Sequence, residues 1–242
     1  MALAAQAARP LAAKCDPRLI VALDLATRAE AEAMVERLGE AVSFYKVGLQ
    51  LLASGGMEMA RDLKARGRQV FADWKLHDIG ATVEKAAAAI AATEACDFLT
   101  VHAEPQVLSA AVRGRGSSPV KILGVTVLTS LNGQDLGEIG YQMSVEALVE
   151  RRVRQAIDAG ADGVITSPRE AAMARRIAGP NFLVVIPSVR PTWAKLNDQA
   201  RAETPAYALG QGASHIVCGR PITTATDPRA AALAIVEEMA GV

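Results

Sequence analysis

Short apolar runs alternate along this chain with longer segments in which apolar residues recur every three or four positions. The short runs lack a clean two-residue alternation, which is typical of parallel strands buried on both faces. The pattern predicts strands at Leu19–Leu25, Ser43–Val47, Gln69–Trp74, Phe98–His102, Val120–Val127, Gly163–Thr166, Phe182–Ile186 and His215–Cys218. It predicts helices at Arg28–Leu38, Gly56–Arg66, Ala81–Ala95, Gln106–Arg113, Val145–Ala159, Pro168–Ile177, Pro205–Gly210 and Pro228–Met239.

The starts of several predicted helices carry residues that commonly begin helices. Thr27 can cap the first helix, and Ser167 and Asp227 each stand directly before a proline, which suits N-cap and N1 positions. Strand–helix units repeated through 242 residues predict an α/β protein, a single (β/α)8 TIM barrel that occupies residues 1–242. A doubly wound open sheet is the alternative, and it is disfavoured because neither a GxGxxG nor a Walker loop follows the first strand.

Composition narrows the class of protein. Hydrophobic residues make up 51% of the chain, charged residues 21%, and the formal net charge is zero. These values suit a globular core and predict no affinity for nucleic acid or an anionic membrane surface. No apolar run approaches the roughly 20 residues that span a bilayer. Three widely spaced cysteines suit a reducing cytoplasm, and we expect residues 1–16 to be a loosely ordered N-terminal extension rather than a signal peptide.

The segment Asp73-Trp74-Lys75-Leu76-His77-Asp78 is the most informative part of the chain. Alternation along a strand places Asp73 and Lys75 on the same face, and Asp78 follows where the chain leaves the strand. Charged groups are rarely buried unless they are paired. On this segment alone, a structural salt bridge at the strand end and a catalytic charge cluster both remain open.

Polar residues stand at the carboxyl end of almost every predicted strand, where barrel enzymes place their active sites. They are Asp24, Lys46, Asp73, Lys75, His102, Thr129, Ser130, Arg190, Gln199 and Arg220, and the candidate set at these strand ends also includes Pro187 and Gly219. Several have a structural alternative: Asp24 could cap a helix, Lys46 could extend to solvent, and His102 could be an ordinary rim residue. Their recurrence on one rim favours a functional site.

The run Gly219–Thr223 follows the last predicted strand. Loops after strands seven and eight of such barrels often bind phosphate through backbone N–H groups, and Arg220 offers a planar fork for phosphate oxygens. The long polar segment Pro187–Arg201 after strand seven has the character of a lid that closes over a ligand.

Taken in order, these motifs resemble the orotidine 5′-phosphate decarboxylase family from end to end. The resemblance rests on VALD at Asp24, YKVG at Lys46, DWKLHDI at Asp73–Ile79, LTS at 128–130, VRP at 189–191, DQ at 198–199, TP at 204–205, GRPIT at 219–223 and DP at 227–228. The DxKxxD element alone is shared with a wider barrel superfamily, whereas the ordered set is specific.

The resemblance implies decarboxylation of orotidine 5′-monophosphate to UMP and CO2, the last step of de novo pyrimidine nucleotide synthesis, without metal or cofactor. It implies that Lys46, Asp73, Lys75 and Asp78 form the catalytic charge network. It assigns ribose to Asp24 and Lys46, the pyrimidine amide edge to Ser130, and phosphate to Gln199, Arg220 and the Gly219 backbone. Thr129, Pro187 and Arg190 complete the predicted substrate-binding set.

The resemblance also implies a homodimer with shared active sites, in which Asp78, Ile79 and Thr82 serve the neighbouring subunit. This chain departs from the family pattern at three places: Gly80–Ala81, Glu104–Gln106, and Ser188, where a glycine is usual. None of them removes a charged catalytic position. Two other functions stay open, a magnesium-dependent sugar-phosphate enzyme of the superfamily and a non-catalytic barrel that binds a phosphorylated ligand.

Overall fold

A computed structural model of the protein describes residues 15–194 and 203–240. Eight parallel strands form a closed barrel in chain order, and β1 pairs with both β2 and β8. The strands are β1 Leu19–Ala22, β2 Phe44–Gly48, β3 Gln69–Leu76, β4 Phe98–His102, β5 Lys121–Val125, β6 Gly163–Ile165, β7 Leu183–Ile186 and β8 His215–Cys218. The predicted (β/α)8 barrel is therefore confirmed.

Helices connect the strands on the outside of the barrel. In the described residues they are α1 Arg28–Leu38, α2 Leu49–Leu52, α3 Gly56–Ala65, α4 Gly80–Ala92, α5 Pro105–Arg115, α6 Gly133–Ile139, α7 Val145–Asp158, α8 Ala171–Ala178, α9 Pro205–Gly210, α10 Arg220–Thr223 and α11 Pro228–Met239. Two 3-10 turns add Gly39–Ala41 and Pro168–Glu170.

The sequence prediction missed three short helices, α2, α6 and α10, which are too short to show a helical period. The predicted strand Leu19–Leu25 ends at Ala22, and the predicted helix Pro168–Ile177 is a 3-10 turn followed by α8. Ser167 does not cap that segment with its side chain, because its hydroxyl donates to the Glu170 carboxylate. The predicted caps at Thr27 and Asp227 are confirmed.

Two apolar layers hold the barrel together. An outer layer lies between strands and helices, and an inner layer fills the barrel. The inner layer consists of Ile20, Ala22, Phe44, Phe71, Phe98, Leu123, Val125, Ile165, Val185 and Val217. Side chains alternate along each strand, so residues two positions after these inner residues reach the carboxyl rim with the same inward orientation. This alternation places the side chains of Asp24, Lys46, Asp73 and Thr100 above the inner layer, at the carboxyl end of the barrel.

The amino-terminal end of the barrel is closed by aromatic packing. The His215 ring lies 5.2 Å from the Phe98 ring and 5.8 Å from the Phe44 ring, edge to face in both cases. Most of the predicted N-terminal extension, residues 1–14, lies outside the described residues. Its last two residues contact the barrel, since the Cys15 thiol donates to Ser43 Oγ at 3.0 Å and Asp16 pairs with Arg18 at 2.8 Å.

No helix in residues 15–194 or 203–240 combines the length and apolar character that crossing a membrane requires.

Candidate active site

A cavity of about 570 Å³ opens at the carboxyl ends of the strands. Its inner end rests on apolar residues of the inner layer, and its walls carry most of the predicted site. The predicted residues that line it are Asp24, Lys46, Asp73, Lys75, Thr129, Pro187, Arg190, Gly219 and Arg220. The fold therefore assembles, at one opening, residues that are separated by up to 196 positions in the sequence (24 to 220).

Four of these side chains form a chain of alternating charge. Lys46 Nζ lies 2.8 Å from Asp24 Oδ1 and 3.4 Å from Asp73 Oδ2. Asp73 Oδ1 in turn lies 2.8 Å from Lys75 Nζ. The predicted shared face of Asp73 and Lys75 is confirmed by this contact. The order acid, base, acid, base leaves each inner charge between two opposite charges.

Within this network of four ions, the two central side chains are the most buried. The side chains of Lys46 and Asp73 are 10% and 13% exposed, whereas Lys75 is 26% exposed and Asp24 50%. The Lys75 ammonium therefore stands at the boundary between a buried ion network and the open cavity. A group in that position can contact a ligand while its charge is fixed from behind.

Asp73 and Lys46, the buried residues of this ion network, are held in their charged forms. Burial alone would raise the pKa of Asp73, but the neighbouring Lys46 and Lys75 ammonium groups outweigh it and lower that pKa below its usual value. Burial likewise disfavours the Lys46 ammonium, and the carboxylates of Asp73 and Asp24 outweigh it and raise the pKa of Lys46. Asp73 and Lys46 are thus held as ions at neutral pH.

A threonine that the sequence analysis did not select completes the network. Thr100 is fully buried on β4, and its hydroxyl donates to Asp73 Oδ1 at 3.0 Å while accepting the Lys75 backbone N–H at 3.0 Å. A lone threonine in a strand is common, so its type carries no signal. The position of Thr100 is informative, because alternation along β4 places its side chain on the inner face between Phe98 and His102.

The loop after β7 contacts the loop after β5. Ser188 adopts a φ of 64°, in the left-handed region, is 9% exposed, and shares a 2.8 Å hydrogen bond with Thr129. The residue that departs from the family's glycine therefore retains a backbone conformation that glycine favours, and its hydroxyl adds a contact between two rim loops.

The far side of the cavity carries the predicted phosphate-binding residues. Gly219 and Arg220 line the cavity where α10 begins, and Arg190 is 6% exposed with its Nη1 donating to the Val189 carbonyl at 3.0 Å. Residues 195–201 of the predicted lid, which include Gln199, lie outside the described residues.

Four predicted residues do not line this cavity. Ser130 is exposed in the turn after β5. Asp78 and Thr82 are also exposed, and Ile79 is 70% exposed. Asp78 Oδ1 accepts the Ile79 N–H at 2.6 Å, and within the described residues Asp78 forms no salt bridge in its own chain. These side chains therefore do not contribute to the cavity of their own barrel.

His102 sits beside the network rather than in it. Its ring lies 4.7 Å from the His77 ring at a tilt of 34°, and His77 Nε2 lies 3.7 Å from Glu104 Oε2. Burial lowers the pKa of His102 despite the nearby Glu104 carboxylate. This geometry suits the alternative of a rim residue. Among the described residues, no cluster of three or more His, Cys, Asp or Glu is placed to hold a metal ion.

Comparison with known proteins agrees with this geometry. The family model described as "Orotidine 5'-phosphate decarboxylase / HUMPS family" matches residues 17–235. An orotidine 5′-phosphate decarboxylase of Caulobacter sp. (strain K31) is 66% identical over 226 residues, covering 93% of this chain and 98% of the relative. One from Rhodopseudomonas palustris (strain BisA53) is 53% identical over 224 residues, covering 93% and 95%.

A solved structure shares the same architecture. The crystal structure of orotidine 5′-phosphate decarboxylase from Lactobacillus acidophilus superposes with a TM-score of 0.81 at 36% identity, covering 93% of this chain and 99% of that one. The model match, the identities and the shared barrel agree across nearly the whole chain, and this protein, a carboxy-lyase, belongs to the orotidine 5′-phosphate decarboxylase / HUMPS family.

Proposed function

We propose that this protein converts orotidine 5′-monophosphate to UMP and CO2 without a metal ion, as the last step of de novo pyrimidine nucleotide synthesis. The observation that carries the proposal is the buried chain of alternating charges, which ends in the Lys75 ammonium at the cavity. Decarboxylation of a pyrimidine at C6 develops negative charge on a carbon that has no cofactor to delocalise it. A fixed cation supplies the stabilisation that this carbon needs.

The chemical step uses Lys75 twice. The bond between C6 and the carboxyl carbon breaks, its electron pair stays on C6, and CO2 leaves. The Lys75 ammonium stabilises the electron pair and then transfers a proton to C6, after which the lysine regains a proton from solvent. Asp73 holds Lys75 at 2.8 Å, and Lys46 on the other side keeps Asp73 ionised.

Substrate binding divides between the two sides of the cavity. Asp24 and Lys46 would meet ribose hydroxyls, whereas Gly219, Arg220 and Gln199 would meet the phosphate, and Ser130 the pyrimidine amide edge when its loop closes. Thr129, Pro187 and Arg190 line the wall between these sides. The phosphate is remote from C6, so its binding energy acts by closing and aligning the site.

We further propose a homodimer with shared sites. The support is that Asp78, Ile79 and Thr82 are exposed and do not line the cavity of their own barrel. Asp78, Ile79 and Thr82 would enter the neighbouring site, next to that subunit's Lys75. The free thiols of the described cysteines agree with the cytoplasm as the compartment we expect.

The magnesium-dependent alternative is disfavoured by charge. The two ammonium groups of Lys46 and Lys75 flank Asp73 within 3.4 Å, so they would repel a divalent cation from the buried carboxylate. A barrel that only binds its ligand is disfavoured for a different reason, since burying several ions costs free energy that simple binding does not require.

The test is the loss of orotidine 5′-monophosphate absorbance with purified protein dialysed against EDTA. We expect full activity without added metal, and Lys75→Ala should lose far more than tenfold, the equivalent of about 1.4 kcal/mol of barrier, while remaining folded by circular dichroism. Abolition by EDTA with rescue by magnesium would support the alternative enzyme class. Binding of the nucleotide without turnover would support the binding protein.

A further inference from the structure

Strand β3 carries an irregularity at the residues of the charge network. Ala72 pairs with Leu99 and Leu76 pairs with Val101, so three residues of β3 lie opposite the single residue Thr100 of β4. Bulges of this kind redirect side chains next to active sites. Here the bulged residues are Asp73, Trp74 and Lys75, which include both ions of the pair at the cavity.

The bulge imposes an unusual backbone on Lys75. Its φ is 46°, in the left-handed region, where a residue with a Cβ is strained. Such a conformation persists only when its surroundings determine it. The bulge also takes the Lys75 N–H out of the regular strand ladder, and a buried N–H needs another acceptor.

The Thr100 hydroxyl supplies that acceptor and also orients the carboxylate. Thr100 Oγ1 accepts the Lys75 N–H at 3.0 Å and donates to Asp73 Oδ1 at 3.0 Å. The same Asp73 oxygen accepts the Lys75 ammonium at 2.8 Å. One fully buried hydroxyl on the neighbouring strand therefore contacts both the backbone that carries the lysine and the carboxylate that holds its ammonium.

We propose that Thr100 is a positioning residue of the active site, which holds the β3 bulge so that the Lys75 ammonium and the Asp73 carboxylate keep their reactive orientation. The proposal rests on the proposed decarboxylation. Thr100 itself does not line the cavity, so it acts through Asp73 and Lys75 and not on the substrate.

Substitutions that separate the hydroxyl from the bulk of the side chain test this role. Thr100→Val keeps the shape but removes the donor and acceptor, whereas Thr100→Ser keeps both. We expect kcat to fall about 10- to 100-fold in Thr100→Val, because small displacements of reacting groups have effects of that size. KM should change little, because the ribose and phosphate contacts lie elsewhere. Thr100→Ser should retain most of the activity.

The pH profile gives a readout that loss of packing would not change. Asp73 faces Lys46 from β2, Lys75 from β3 and the Thr100 hydroxyl from β4, with Asp24 one contact further through Lys46. Removing a hydrogen bond to a carboxylate raises its pKa. The acid limb of kcat/KM should therefore move to higher pH in Thr100→Val and stay in place in Thr100→Ser.

A matched control is available directly after the next strand, β5. Thr126 is also fully buried, and its hydroxyl donates to the Ile165 carbonyl at 2.8 Å, away from the ions. Thr126→Val should destabilise the protein comparably but leave kcat and the acid limb unchanged. If Thr100→Val does not fold, Thr100→Ala compared with Thr100→Ser gives the same difference of one hydroxyl.

Three results would overturn the proposal: Thr100→Val with kcat within threefold of the unsubstituted protein and an unmoved acid limb, equal losses in Thr100→Ser, or equal losses in Thr126→Val. If the unsubstituted protein does not decarboxylate the nucleotide, the proposed function fails and not this inference. The titration of the Asp73 carboxyl ¹³C resonance, assigned with Asp73→Asn, then decides it: a raised pKa in Thr100→Val supports positioning, and an unchanged pKa contradicts it.

Discussion

At the scale of single residues, the site depends on how closely unlike charges approach. Lys46 reaches both Asp24 and Asp73 because nothing occupies the space beside them. Gly48, two residues further along β2, leaves that space free: a Cβ built there would lie 2.8 Å from both Asp24 Oδ1 and Lys46 Nζ. The glycine of the YKVG motif thus has a role in the geometry of the ion pair.

Gly48→Ala should therefore reduce activity with little loss of stability. The Gly48 φ of −95° is accessible to alanine, and the two contacted atoms are ends of flexible side chains that can move aside. We expect kcat/KM to fall by roughly 10- to 100-fold, about 1.4–2.8 kcal/mol of transition-state stabilisation, with the unfolding midpoint nearly unchanged.

Gly137→Ala is the matched control for this substitution, because a Cβ at Gly137 would meet nothing within 4 Å. It should leave kcat/KM unchanged. Unaltered kinetics in Gly48→Ala would mean that the Asp24–Lys46 contact does not contribute to the reaction.

Residue-level prediction from sequence succeeded where a pattern was local. Asp73 and Lys75 are two residues apart and their pairing was predicted correctly, although the β3 bulge and the left-handed Lys75 backbone depart from the regular alternation on which the prediction relied. Thr100 and Gly48 were missed because their roles arise from neighbouring strands, whose register the sequence does not reveal. The left-handed backbone of Lys75 was missed for the same reason, since the bulge exists only relative to β4.

At the scale of elements, the strands were the most predictable parts because their apolar runs are continuous and bounded by turns. The short helices at the rim were not, although α2 and α10 border the cavity through Leu49, Gln50 and Thr223. Four residues cannot display a helical period, and such helices form because tertiary contacts hold them. The elements nearest the chemistry were therefore the hardest to infer.

The element after β8 supports a prediction about phosphate. Arg220 begins α10 at the cavity wall, and a guanidinium–phosphate contact is a charge-assisted hydrogen bond worth about 1.5–3 kcal/mol. Arg220→Ala should lower kcat/KM for orotidine 5′-monophosphate by roughly 10- to 150-fold and barely change the decarboxylation of phosphate-free orotidine.

Arg176→Ala provides the control for this substitution, because Arg176 is exposed near the end of α8 and does not line the cavity. It should leave both substrates unaffected. Equal losses for nucleotide and nucleoside in Arg220→Ala would instead place Arg220 in a structural role.

At the scale of the whole molecule, the two ends of the barrel differ in their response to acid. The ions at the carboxyl end stay charged, whereas His215 at the amino end is kept neutral: burial lowers its pKa from 6.5 to about 4. Its Nδ1 is buried without a hydrogen-bond partner in the described residues. Protonating this ring in the folded barrel would place a buried charge between Phe44 and Phe98, a cost that the nearby Asp16 carboxylate does not offset.

Stability should therefore fall as the pH drops from about 6.5 towards 4. The unfolded chain binds a proton at His215 in this window and the folded chain does not, so protons favour unfolding, by up to about 3 kcal/mol at the lower end. Urea unfolding at fixed protein concentration across this range should show the slope, and His215→Gln should flatten it.

His102 also has a lowered pKa and adds to the slope in the same direction, so His102→Gln is the necessary comparison. Asp16 and Asp73, whose pKa values are lowered below 3.8, act at more acidic pH. A slope that is the same in His215→Gln and in the unsubstituted protein would show that His215 does not carry the acid sensitivity.

The last prediction concerns assembly, because each barrel lacks one member of its predicted charge network. Asp78 is exposed and makes no salt bridge among the described residues of its own chain, whereas Lys75 opens into its own cavity. If Asp78 completes the partner's site, then Lys75→Ala and Asp78→Ala proteins, each nearly inactive, should complement one another after subunit exchange. In a mixed dimer one site carries both lesions and the other carries neither. Random exchange makes half the dimers mixed, so about a quarter of the normal activity per subunit should return.

Lys75→Ala mixed with Asp73→Asn is the control and should stay inactive, because each of its sites retains one lesion. If mass-tagged subunits prove that exchange has occurred and activity still does not return, Asp78 acts within its own chain and the sites are not shared.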